Sequence, residues 1–114
     1  MTAINPNFGL THFYCHPKKR IKWEDVVHME GDRNYTLFVF RNGQQYLASR
    51  SMCTFEPRLP AGFVRIHKSS IVQLAFVKTI DRYEKTLCLT DGTILQVARR
   101  RWKEVVRQVI ALRL

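Results

Sequence analysis

Apolar residues fall along most of this chain in short bursts broken by turn residues, and only the C-terminal end repeats at helical spacing. Residues 26–30 (VVHME) predict a short strand, and Gly31, Asp32 and Arg33 a loop after it. Residues 35–40 (YTLFVF) are aromatic and β-branched and too few for an ordinary helix, so they predict a second strand. Arg41, Asn42 and Gly43 mark a tight turn, because Asn and Gly tolerate positive φ, and residues 44–48 return as the other arm of a hairpin. Residues 63–67 predict a strand. Residues 85–90 and 93–98 flank Asp91 and Gly92 as a second hairpin. The apolar stretch 71–80 fits helix or strand equally well.

Two segments carry helical periodicity. Met52, Phe55 and Leu59 lie three and four apart within residues 51–59, which predicts a short helix limited by Pro57. Trp102, Val105, Val106, Val109 and Ile110 recur at i, i+3, i+4, i+7 and i+8, which predicts a terminal amphipathic helix with this stripe in the core. Near the start, residues 10–15 suit an edge strand, and the basic cluster Lys18, Lys19, Arg20 after Pro17 reads as a turn. The fold class that follows is mainly β, with antiparallel hairpins, short helices and a C-terminal amphipathic helix. Residues 1–17 form a tail with a candidate edge strand and residues 18–114 a single domain.

Composition narrows the partner. At 114 residues and 46% hydrophobic content, a packed core is within reach. The formal charge is +10, from 19 Lys and Arg against 9 Asp and Glu, which points to a polyanion. Three scattered cysteines, Cys15, Cys53 and Cys88, suit a reducing cytoplasm better than a disulfide framework. No apolar run is long enough to span a membrane, and the N-terminus lacks the basic and apolar regions of a signal peptide.

The charge gathers at element junctions. Arg99, Arg100, Arg101, Lys103 and Arg107 stand against one acid, Glu104, where the second hairpin enters the last helix. Cations at a helix N-terminus oppose its dipole at up to about 1 kcal/mol each, and local conflicts of this kind often mark function. A second cluster, Arg65, His67, Lys68, Ser69 and Ser70, sets phosphate-binding groups into six residues. A third is Arg33, Asn34 and Tyr35, in which Asn could pair with adenine and Tyr with a phosphate. Each also has a plainer reading: a solvated basic face, a partly buried histidine, a turn asparagine. Four acids, Glu24, Asp25, Glu30 and Asp32, cluster in nine residues; capping or a face turned from the polyanion suits them better than a metal.

Catalysis finds little support. There is no glycine-rich phosphate loop, HExxH or paired CxxC, and His12, Cys15 and His16 supply three ligands at no standard zinc spacing. No catalytic residue, metal or cofactor is expected. An RNA or other polyanion-binding module is the alternative function, although the RNP aromatic motif and a GXXG loop are absent. A protein–protein adaptor is a lesser one. The basic residues of the last helix lie mainly in its first two turns, which argues against a membrane-surface role.

Three stretches together carry a resemblance: WEDVVHMEGDRNYT (23–36), FVRIHKSSIVQL (63–74) and LQVARRRWKEV (95–105). From about residue 21 to 110 the chain resembles the LytTR DNA-binding domain of bacterial response regulators, part of two-component systems. The middle stretch is the most specific, since the family carries a similar F-x-R-x-H-x-S-x-x-V there. MCTFEPRLP (52–60) suits the short helix before it. The resemblance implies an elongated fold of antiparallel sheets and sequence-specific binding of double-stranded DNA for transcription regulation. Loops would reach two successive major-groove segments and the minor groove between them. It implies contacts from Asn34 and Tyr35, from His67, Lys68 and Ser69, and from Arg99 and Arg100; the charge clusters add Arg65 and Arg101 as candidate DNA contacts. It also implies paired direct repeats, bound by two copies; the free domain is expected to be monomeric, since no long apolar stripe remains once the last helix packs. The chain departs from the family at Lys68, where Asn or Arg is frequent, at Gln73 (Asn) and at Ala98 (Ser).

Overall fold

The computed structural model describes residues 12–16 and 19–113, with side chains from 22 to 112. It is mainly antiparallel β with short helices and one C-terminal helix. It divides into two compact units, Met1–Ala61 and Gly62–Leu114.

In the first unit, β1 (His12–His16) pairs antiparallel with β2 (Lys19–Lys22). The strand expected at 10–15 is therefore found at 12–16, its first two positions lying outside the described residues. Lys19 and Arg20 open β2 instead of lying in a turn, because their backbone pairs with His16 and Tyr14. Pro17 and Lys18 are outside the described residues. A 3-10 turn at Trp23–Asp25 leads into β3 (Val26–Gly31), β4 (Thr36–Phe40) and β5 (Gln45–Ala48), an antiparallel meander. Gly43, at φ +87°, makes the β4–β5 turn, a conformation that costs glycine little.

The core of this unit is aromatic. Phe38 lies 6.2 Å from Trp23 and 5.0 Å, edge to face, from Phe55, and all three are almost fully buried. Phe55 comes from α1 (Met52–Phe55), one turn long. A 3-10 turn, Glu56–Arg58, follows, since Pro57 has no N–H with which to continue the α-helical ladder.

In the second unit, β6 (Phe63–His67) pairs with β7 (Ser70–Gln73). The ambiguous stretch 71–80 is neither one helix nor one strand: β7 ends, a 3-10 turn spans Leu74–Phe76, and β8 (Val77–Asp81) begins. β8, β9 (Thr86–Leu89) and β10 (Ile94–Gln96) form a three-stranded antiparallel sheet. The final helix, α2 (Arg99–Arg113), packs on β6 and the Leu74–Phe76 turn.

The apolar stripe of α2 is narrower than its periodicity predicts. Val105 and Val109 are buried, but Trp102 is half-buried and Ile110 is 43% exposed. At about 100° per residue, Ile110 lies far round the helix from the Val105–Val109 line. Trp102 borders that line on the same side as Ile110 but closer to it, and the Lys85 ammonium sits 5.4 Å from its ring centroid. No helix among the described residues is long and apolar enough to cross a membrane.

Candidate nucleic-acid interface

The β6–β7 turn holds four of the sequence-predicted site residues. β6 alternates inward and outward, so Val64 and Ile66 are buried while Arg65 and His67 are half-buried. Arg65 pairs with Ile71 and His67 with Ser70, which leaves Ile66 as a bulge outside that ladder. The Ile66 carbonyl instead accepts the Ala98 N–H at 2.8 Å. Ala98 immediately precedes α2, so one backbone bond sets Arg99, Arg100 and Arg101 beside the turn that carries His67, Lys68 and Ser69.

Within the turn, the Arg65 guanidinium folds back. Its Nε donates to the His67 carbonyl at 2.8 Å, and a terminal nitrogen donates to the Lys68 carbonyl. The Ser69 N–H donates to His67 Nδ1 at 3.3 Å, and Ser69 Oγ lies 3.0 Å from the same nitrogen. Where Nδ1 accepts the Ser69 amide proton, the Nε2–H of the neutral ring is left to donate outward. Lys68, at the tip, is exposed.

At the start of α2, Arg99 and Arg100 are exposed and Arg101 is half-buried. The Ala98 carbonyl accepts the Arg101 N–H at 2.9 Å, the first bond of the helix. Arg107 is engaged further along: its guanidinium binds both Glu104 carboxylate oxygens, one at 3.1 Å, and Gln108 donates to Glu104 at 2.8 Å. These hydrogen bonds, Arg107's first, hold the Glu104 carboxyl below its usual range, and Glu104 raises Arg107 in turn. Among the described side chains of α2, the basic ones other than Arg107 lie in its first turns.

Asn34 and Tyr35 belong to the other unit, in the β3–β4 turn. Asp32 Oδ1 accepts the Asn34 and Tyr35 N–H groups at 2.7 and 3.3 Å, and the Asp32 N–H donates to the Tyr35 carbonyl at 3.1 Å. These three bonds brace the turn from within, and the Asn34 and Tyr35 side chains are exposed. The chain approaches itself closely here: a Cβ on Gly31 would lie 2.3 Å from the Tyr35 carbonyl oxygen.

The acidic cluster has structural uses. Asp25 pairs with Arg41 at 3.0 Å, Asp32 caps the turn, and Glu30 lies 3.3 Å from His28 Nδ1. Among the described residues, no three His, Cys, Asp or Glu side chains are grouped to hold a metal ion. Sequence reasoning placed the three clusters but missed the inward engagement of Arg65 and the Ile66–Ala98 bond. A carbonyl left over by a bulge has no signature in the sequence.

The site is thus a polar turn braced by its own hydrogen bonds, with an arginine run at the start of the neighbouring helix, on a β scaffold. The LytTr DNA-binding domain family model matches residues 18–110, and the chain belongs to that family, whose members bind DNA in transcription regulation. The fold is similar to that of the solved LytTr DNA-binding domain of a response regulator from Bacillus cereus. That match has a TM-score of 0.67 at 22% identity and covers 81% of this chain and 86% of that one. No curated protein matches the chain.

Proposed function

We propose that the chain reads specific duplex DNA sequences as the output domain of a cytoplasmic transcriptional regulator. In this reading Asn34 and Arg100 reach base edges in successive major-groove segments, while Lys68 mainly holds the phosphate backbone and also reaches the intervening minor groove, whose narrow A·T-rich form attracts a long cation. Tyr35, His67, Ser69, Arg99 and Arg101 meet the phosphate backbone, with the His67 Nε2–H as a donor. The observation that carries the reading is the Ala98-to-Ile66 bond, which ties the residue before Arg99, Arg100 and Arg101 to the strand that leads into His67, Lys68 and Ser69. Two copies of a free monomer occupy direct repeats about one helical turn apart.

Selection of bound duplexes from a random pool tests it, followed by Arg100→Ala. Two short sites in the same orientation are expected. Arg100→Ala should cost about 1–3 kcal/mol and relax preference at one base pair. A strict palindrome, or an Arg100→Ala loss that is equal on every sequence, contradicts the respective part of the reading.

A further inference from the structure

Arg65 stands among the candidate contacts, yet its Nε and one terminal nitrogen donate into its own chain. Nε and a terminal nitrogen bridge the carbonyls of His67, the last residue of β6, and Lys68, at the tip of the turn. We infer that Arg65 is a positioning residue for DNA reading: it locks the turn that presents Lys68 and is not itself a phosphate ligand. The inference rests on the DNA-reading function proposed above.

Two physical effects support it. The carbonyl oxygens of a tight turn carry partial negative charge, which would repel an approaching phosphate. A guanidinium bound to both cancels that repulsion at the point of contact. The planar fork also fixes two successive peptide units at once, which a lysine ammonium, a point charge on a flexible stem, cannot do. The Ser69 N–H bond to His67 Nδ1 closes the turn from the other side. Lys68 therefore leaves a backbone already ordered before DNA arrives, and the ordering cost does not fall on binding.

The test uses the full chain, a duplex recovered from the random-pool selection, and a scrambled duplex of equal length. Affinities of wild type, Arg65→Lys, Arg65→Ala, Lys68→Ala and Arg65→Lys/Lys68→Ala are measured by fluorescence anisotropy across a salt series. Both Arg65 variants should keep the wild-type salt slope, because no phosphate contact is lost. Each should lose about tenfold of the discrimination between the two duplexes. Lys68→Ala should reduce the slope by about one, and adding Arg65→Lys to it should change little further. In the free chain, Arg65→Lys should speed amide exchange at Ser69, which reports the turn directly. A slope reduced by about one in Arg65→Ala, with equal loss on both duplexes and an additive double variant, would make Arg65 a phosphate ligand and overturn the inference. A wild-type chain with no preference between the duplexes would instead overturn the DNA-reading function, and the inference with it.

Discussion

The Ala98 amide donates to the carbonyl of Ile66 at 2.8 Å, across 32 positions of sequence, counting from 66 to 98. A bulge leaves that carbonyl outside the β6–β7 ladder, and the residue that takes it up is the last before α2. The irregularity in the strand is what fixes the start of the helix and hence its three arginines.

Ala98 holds the position before α2 where Ser, Thr, Asp or Asn would accept a backbone N–H of the first turn. The three arginines that follow add repulsion with the helix dipole. Ala98→Ser should therefore stabilise the chain by about 1 kcal/mol, raising Tm by a few degrees, and leave the Ile66 bond intact because it uses the backbone. Thermal unfolding followed by circular dichroism checks this; an unchanged or lower Tm counts against the capping argument.

Gly31 lies where β3 meets the turn that carries Asn34 and Tyr35. A Cβ there would sit 2.3 Å from the Tyr35 carbonyl oxygen and 3.0 Å from the Thr36 Cα, both backbone atoms that cannot swing aside. Gly31→Ala should destabilise by about 1–3 kcal/mol in urea unfolding. It should also weaken specific DNA binding by displacing Asn34. Wild-type stability in this variant would mean that the turn relaxes freely.

Phe38 and Trp102 separate a core aromatic from a marginal one. Phe38 is fully buried between Trp23 and Phe55, so Phe38→Ala should cost about 3–5 kcal/mol. Trp102 is half-buried beneath Lys85, so Trp102→Ala should cost about 1–2 kcal/mol, from partial apolar burial and a half-buried cation–π contact. Equal costs in chemical denaturation would contradict this order.

Strands bounded by strong turn signals were legible in the sequence. The stretches around Asn42–Gly43 and Asp91–Gly92 have the alternation and glycine that a hairpin requires, and both turns contain a glycine at positive φ. Residues 71–80 were not legible, because a strand, a 3-10 turn and another strand in succession leave neither a period of 2 nor one of 3.6. The helical stripe gave Val105 and Val109 correctly and overreached at Trp102 and Ile110, since periodicity marks a face but not its width. The basic clusters stood out by composition alone. The fold-back of Arg65 did not, because a guanidinium bound to its own turn and one reaching for phosphate have the same sequence.

The most direct test of the account is the salt dependence of duplex binding by the full chain. The +10 charge and the exposed Lys68, Arg99 and Arg100 imply contact with several phosphates. If about six are neutralised, log K should fall against log salt with a slope near −5, measured by fluorescence anisotropy on a selected duplex. A slope near zero would show that the charge does not meet the DNA backbone, and the account of this surface as a DNA interface would be wrong.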